Sequence, residues 1–176
     1  MQLTQTALIG VYTVDVIPRT DERGMFARTW DSAIAREHGL QERFDYTCVS
    51  LNTNIHTLRG MHYQRTPHDE VKLVRCTRGT IVDVVLDLRP ASATFKQWIS
   101  AELTAENHRA VYVPAGCAHG FLTMEPQSEV LYHIAGKYVP DASTGVRFDD
   151  PAFGIRWPAH PQTITERDRN FPDFPS

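Results

Sequence analysis

His62 sits in the run Leu58-Arg59-Gly60-Met61-His62-Tyr63-Gln64, and a second histidine follows in Pro114-Ala115-Gly116-Cys117-Ala118-His119. Imidazole titrates near neutrality, so a histidine can accept a proton at working pH. Arg59 lies three residues before His62 and Lys72 ten residues after it. A base flanked by two fixed cations is suited to taking a proton from an anionic carbonyl substrate. One cation serves phosphate oxygens and the other a developing oxyanion. Tyr132, in Val130-Leu131-Tyr132-His133, adds a phenol that can protonate a carbanion or enolate. Each residue also has a plainer reading. A lone strand histidine is more often structural, and a strand tyrosine is as often a core aromatic. His62 is favoured by its company, because apolar interiors rarely tolerate unpaired cations such as Arg59 and Lys72. By the same logic Asp168, a carboxylate in the tail, is expected to be solvated.

Metal chemistry is the competing use of these side chains. His62, His68, His119 and Glu70 are ligand types found in small β-barrel metalloenzymes of the cupin kind. Those barrels usually carry an H-x-H pair, and here Tyr63 and Gln64 follow His62 instead. Lys72 stands where an acidic ligand would help, and its charge repels a cation. The expectation is no metal and no cofactor. The Pro114-x-Gly116-x-x-His119 element matches the second cupin motif and speaks for the fold.

The elements that must position these residues are mostly strands. Val11–Ile17 is short and alternating. Leu73–Thr77, the Arg78-Gly79 turn and Ile81–Leu88 read as a hairpin. In its second arm Val82, Val84 and Leu86 face one way, and Asp83, Val85 and Asp87 the other. Gln97–Leu103, Ala110–Val113, Gly120–Met124 and Glu129–His133 continue the series, with turns at Arg89-Pro90 and Glu125-Pro126. Strands at this spacing predict an all-β barrel or sandwich. One short helix is expected, capped by Asp31, filled by Ala33–Glu37 and ended by Gly39. Past Pro140 the chain reads as loops, with a charged, aromatic tail from Thr165 that should dock on the domain.

The 176 residues predict one domain with a real core. With a net charge of −3 and no basic block, nucleic acid is not an expected partner. No apolar run reaches the ~20 residues of a membrane span, and the first residues do not resemble a signal peptide. Cys48, Cys76 and Cys117 form no C-x-x-C and read as reduced thiols of a cytosolic protein.

Several motifs together resemble the dTDP-4-dehydrorhamnose 3,5-epimerase family. They are Asp21-Glu22-Arg23-Gly24-x-Phe26, Leu58–Gln64, and Lys72-Leu73-Val74-Arg75-Cys76-x-x-Gly79. Leu103-Thr104-Ala105-Glu106-Asn107, Pro114–Phe121, Asp149-Asp150-Pro151 and Ile155-x-Trp157-Pro158 follow in the family's order. The resemblance implies a cupin-type, jelly-roll β-barrel with a few short helices, acting as a cytoplasmic homodimer without metal or organic cofactor. It implies epimerisation of a nucleotide-linked 4-keto-6-deoxyhexose at C3 and C5. By motif match His62 resembles the family's base, Asp168 the carboxylate that orients it, Tyr132 the proton donor and Lys72 the enolate stabiliser. Arg23, Phe26, Arg28, Tyr46 and Cys48 fall at ligand-contact positions, as do Arg59, Gln64, His119, Tyr138 and Arg167.

The chain departs from the family at the nucleotide end. Arg28 replaces a glutamate, and Tyr46 and Cys48 stand near an expected glutamine and asparagine. After Tyr132 the chain reads His133 and then Lys137-Tyr138, where a lysine and a Tyr-Tyr pair are usual. The reaction class is therefore read more firmly than the nucleotide. Alternatives are an epimerase acting at one carbon, one acting on a CDP- or GDP-sugar, and a sugar-nucleotide-binding cupin without activity.

Overall fold

The computed structural model describes residues 1–175. Thirteen strands and two short helices occur among them. The chain opens with β1 (Gln2–Gln5), β2 (Tyr12–Asp15), and an arm of β3 (Arg19–Asp21) and β4 (Gly24–Phe26). Helix α1 (Ser32–Glu37) precedes β5 (Tyr46–Asn52), β6 (Leu58–Gln64), β7 (Val71–Arg78) and β8 (Thr80–Asp87). Then come β9 (Trp98–Thr104), β10 (Ala110–Val113), β11 (Cys117–Thr123) and β12 (Ser128–Ala135). The final elements are a 3₁₀ turn at Pro140–Ala142, β13 (Ser143–Gly145) and α2 (Glu166–Arg169). Six strands form one antiparallel sheet in the order β1-β2-β10-β7-β12-β5, and five form another in the order β13-β6-β11-β8-β9.

The two sheets share an apolar interior. Val74, Cys76, Val111 and Val130 of the first meet Ile81, Val85, Leu103 and Phe121 of the second. Along β7 the inward positions run Cys76, Val74, Lys72, and along β12 they run Val130, Tyr132, Ile134. Packed core thus gives way to a cavity within single strands. Period-two alternation makes this possible, because every second residue must face inward. The outer faces are covered too. Met61, Val84, Leu86 and Ala118 lie under the C-terminal loops that carry Phe153, Trp157 and Phe174. Val14, Leu73 and Tyr112 lie under Trp30 and Phe44, with Trp30 stacked on Tyr112 at 5.9 Å.

Most expected strands occur, and the alternation read in β8 is present. Val84 and Leu86 face the outer cluster, and Val85 faces the interior. The Gly79 turn is different. β7 and β8 belong to different sheets and do not pair, so the expected hairpin is a crossing between sheets. Both arms are buried on both faces, so their apolar pattern could not reveal the pairing partner. Helix α1 matches its sequence signals. The Asp31 side chain accepts from Ala33 and Ile34 N–H, and Gly39 follows at φ 67°. Burial pushes the Cys76 thiol up to about 11 and the Cys117 thiol up to about 12, so both behave as small apolar fillers.

One irregularity matters for the site. In the β6–β11 ladder His62 pairs with His119 and Arg59 with Phe121, so Gly60 and Met61 together stand opposite Gly120 alone. The two backbones approach closely there. A Cβ on Gly60 would lie 2.5 Å from the Gly120 Cα, and one on Gly120 would lie 2.7 Å from Met61 Sδ and 2.8 Å from the Arg59 carbonyl. Gly120→Val should therefore destabilise the protein by ~1–3 kcal/mol through overpacking. Urea denaturation checks this, and an unchanged midpoint would show that the ladder can yield.

Candidate active site

Residues three apart on a regular strand point to opposite faces. The extra residue in β6 is a bulge, and it turns Arg59 and His62 to the same side. Both line a cavity of about 480 Å³ between the sheets. The five-stranded sheet contributes Arg59, His62, Gln64, His119 and Ser143. The six-stranded sheet contributes Tyr46, Cys48, Ser50, Lys72, Tyr132 and Ile134. His62 and Tyr132 therefore stand on opposing walls. Tyr138 and Tyr46 also border a neighbouring cleft with Asp45, Gly136 and Lys137.

His62 is paired across 106 residues of sequence. Its Nε2 lies 2.7 Å from Asp168 Oδ1, and Asp168 Oδ2 accepts from Gly60 N–H at 3.2 Å. The tail carboxylate expected to be solvated is in fact 2% exposed. Helix α2 puts it there. Thr165 caps the helix and accepts from Asp168 N–H. Burial pushes the Asp168 carboxyl up, but the bond and charge of His62 and the Gly60 N–H outweigh it, leaving the carboxyl below its usual range. An ionised Asp168 accepts the Nε2 proton, which leaves Nδ1 as the basic nitrogen.

A second pair lies across the cavity floor. His119 Nε2 is 2.6 Å from Asp83 Oδ1, both are buried, and Asp83 Oδ2 has no hydrogen-bond partner. The His119 ring meets Tyr132 edge-on at 6.0 Å. Burial pushes the Tyr132 phenol far above its ordinary pKa, and the Asp83 charge pushes the same way. Tyr132 is therefore a protonated donor at any working pH. The Lys72 ammonium lies 2.9 Å from Glu70 Oε1 and 3.4 Å from the His62 carbonyl. Arg59 Nε donates to Asn52 Oδ1 at 2.7 Å, which leaves the outer guanidinium nitrogens for a ligand. Arg167 Nη2 donates to the Ser143 carbonyl at 3.1 Å, with its guanidinium over the Phe171 ring.

The structure thus gathers His62, Lys72, Tyr132, Arg59, His119, Tyr46, Cys48, Gln64, Tyr138 and Arg167 around one cavity, with Asp168 immediately behind His62. It does not bring Arg23, Phe26 and Arg28 there. They belong to the exposed arm and the segment after it, where Arg23 pairs with Asp21 and Arg28 with the capping Asp31. Phe26 is 78% exposed. Asp83, Ser50 and Asn52 were missed, and Glu70, weighed only as a metal ligand, is the partner of Lys72. The only signal for Asp83 was its inward phase on β8, and nothing local tied it to His119.

A buried carboxylate is paired with a cavity histidine, opposite a protonated phenol. A sequence profile of the dTDP-4-dehydrorhamnose 3,5-epimerase family matches residues 5–176. The chain belongs to this family. A dTDP-4-dehydrorhamnose 3,5-epimerase from Methanothermobacter thermautotrophicus is 39% identical over 170 residues, covering 95% of this chain and 91% of that one. The crystal structure of the Elizabethkingia anophelis epimerase superposes with a TM-score of 0.94 at 34% identity, covering 99% and 96% of the two chains. The Bacillus anthracis epimerase, solved with TDP and pyrophosphate bound, gives 0.93 at 33% identity, covering 98% and 99%. These relatives share the cupin-like fold of this epimerase family member.

Asp168→Asn should lower stability at pH 7 by ~1–3 kcal/mol, because an amide keeps only one acceptor oxygen and must set its NH2 against either His62 or the Gly60 N–H in a buried place. A depressed carboxyl stabilises the fold above its unfolded pKa of about 4 and loses that effect as the pH falls through the folded value. The gap between wild type and variant should therefore narrow below about pH 4. Urea midpoints at pH 7 and pH 3 measure this, and a gap that widens in acid would contradict the pairing.

Proposed function

We propose that this protein is an epimerase that inverts C3 and C5 of dTDP-4-dehydro-6-deoxyglucose, giving dTDP-4-dehydrorhamnose. The observation that carries the reading is the placement of the His62–Asp168 pair and the Tyr132 phenol on opposite sheets facing one cavity. Hydrogens next to a ketone are acidic only when the enolate is stabilised. In the proposed mechanism His62 Nδ1 removes the proton from the carbon beside C4. The electron pair moves into the carbonyl, and the enolate oxygen is held by the Lys72 ammonium. Tyr132 then donates its proton from the other face, and the phenolate is reprotonated from solvent. Asp168 fixes the His62 tautomer and stabilises the imidazolium that forms. Arg59 and Arg167 supply charge for the two phosphates. The Bacillus anthracis relative, solved with TDP and pyrophosphate bound, supports a phosphate-bearing ligand.

His62→Asn should abolish deuterium incorporation from heavy water at both carbons, a loss of ~10²–10⁴-fold or more. Tyr132→Phe should still exchange the proton, because base and enolate stabiliser remain. Without a donor on the opposite face, inverted product should lag behind exchange. NMR of the 4-keto sugar nucleotide in heavy water reads C3 and C5 separately. Near wild-type exchange in His62→Asn would remove His62 from the mechanism, and inversion at the wild-type rate in Tyr132→Phe would make Tyr132 a core aromatic.

The arm supports a homodimer. Ile17 (60% exposed), Met25 and Phe26 are apolar side chains left in solvent beside Arg23 and Arg28. Val49 and Leu51 project from edge strand β5, and on the same outer face Arg75 Nη2 is buried without a partner. In this reading the arm of one copy lies over the cavity mouth of the other, bringing Arg23, Phe26 and Arg28 to the nucleotide. Sedimentation equilibrium should give twice the 20.0 kDa chain mass. A monomer at micromolar concentration would reject this arrangement. No helix among the described residues is long and apolar enough to cross a membrane. We place the enzyme in the cytoplasm, the reducing compartment in which its three free thiols fit.

A further inference from the structure

Gln64 lines the cavity, yet both N–H donors of its side chain are already committed within the protein. A carboxamide has one acceptor oxygen and two N–H donors. Gln64 Oε1 accepts from Val139 N–H at 2.8 Å. Nε2 donates to the His68 carbonyl at 3.0 Å and the Lys137 carbonyl at 3.1 Å, with a longer contact of 3.4 Å to Glu70 Oε2. The residue is 3% exposed.

We propose that Gln64 is a positioning residue whose amide clamps the 137–139 segment and so holds Tyr138 at the mouth of the cavity. This rests on reading the cavity as a nucleotide-sugar site. The two bonds straddle Tyr138, one to the carbonyl before it and one to the N–H after it. That is the pairing a neighbouring strand would supply. β12 has ended at Ala135, and the 137–139 segment lies outside any strand. The side-chain amide therefore satisfies backbone groups that the sheet no longer reaches. Among the described residues no hydrogen bond reaches the Tyr138 hydroxyl, and Tyr138 is 54% exposed. No hydrogen bond of its own fixes the ring, so the backbone path decides where it stands. A second tie acts just upstream, where Gly136 N–H donates to Asp45 Oδ2 at 2.7 Å. Through the His68 carbonyl the same amide also fixes the β6–β7 turn, which carries Glu70 and hence the partner of Lys72.

A ligand contact and a clamp make different predictions. Gln64→Met removes all of the amide's bonds at similar volume. If Gln64 acts through Tyr138, KM for the sugar nucleotide should rise about tenfold, the size of one or two neutral hydrogen bonds, with kcat changed less than about threefold. Tyr138→Ala should raise KM as well, and adding Gln64→Met to it should raise KM no further. Multiplying effects in the double variant would overturn the clamp in favour of an independent contact. Gln64→Leu, which also removes every bond of the amide, gives the same comparison if the methionine variant folds poorly. Amide hydrogen exchange needs no substrate. Val139 N–H should be protected in the wild type and exchange faster in Gln64→Met. Rapid exchange of Val139 in the wild type overturns the clamp. A protected Val139 in a protein that turns over no 4-keto sugar nucleotide instead overturns the functional reading and leaves the clamp standing.

Discussion

The structure around the cavity depends on one extra residue in β6. A regular strand would send Arg59 and His62 to opposite faces, leaving one of them against the apolar outer cluster around Met61 and Ala118. The bulge opposite Gly120 turns both inward. It is possible only because glycine stands on both sides of the close approach. Once His62 faces in, it meets His119 across the ladder and Tyr132 across the barrel. The Gly60 N–H freed by the bulge becomes a donor to Asp168. A local defect in pairing thereby supplies both the direction of the base and part of the seat for its partner.

The charged groups of the interior follow a common rule. His62 has Asp168, His119 has Asp83, Lys72 has Glu70 and Arg59 has Asn52. Burying a charge without a partner is costly, so each group is tied on one side. The tie also orients it. Each imidazole uses Nε2 for its carboxylate and keeps Nδ1, and Arg59 uses Nε and keeps its outer nitrogens. Partners that reduce the cost of burial are thus the same groups that aim the free atoms at the cavity.

Much of this was legible in the chain. Alternation in β8 gave both faces of a central strand, and Asp31 with Gly39 bracketed α1. Chemistry-bearing residues in Leu58–Gln64 and Lys72 were visible because cations are conspicuous in an apolar strand. What local reasoning could not supply was distance in sequence. Asp168 read as a solvated tail group, and only the resemblance to a family pointed to its role. Asp83 read as an inward position with no stated partner. Gln64 read as a ligand contact by motif match, and its four protein partners lie in two segments, one of them more than 70 residues away, with no local mark. The turn at Gly79 read as a hairpin because two strands buried on both faces carry no mark of which sheet they join.

The His62–Asp168 bond spans 106 residues, from an early strand to a turn of helix that follows every strand of both sheets. During synthesis, every strand of both sheets is polymerised before residue 168. The barrel walls can assemble while the base still lacks its carboxylate. Closing so long a loop costs only slightly more than closing a short one, because the entropy grows with the logarithm of length. Timing, rather than energy, then sets when the base is tuned. A chain interrupted before α2 lacks the carboxylate that pairs with His62, so competence for proton transfer waits on the last helix.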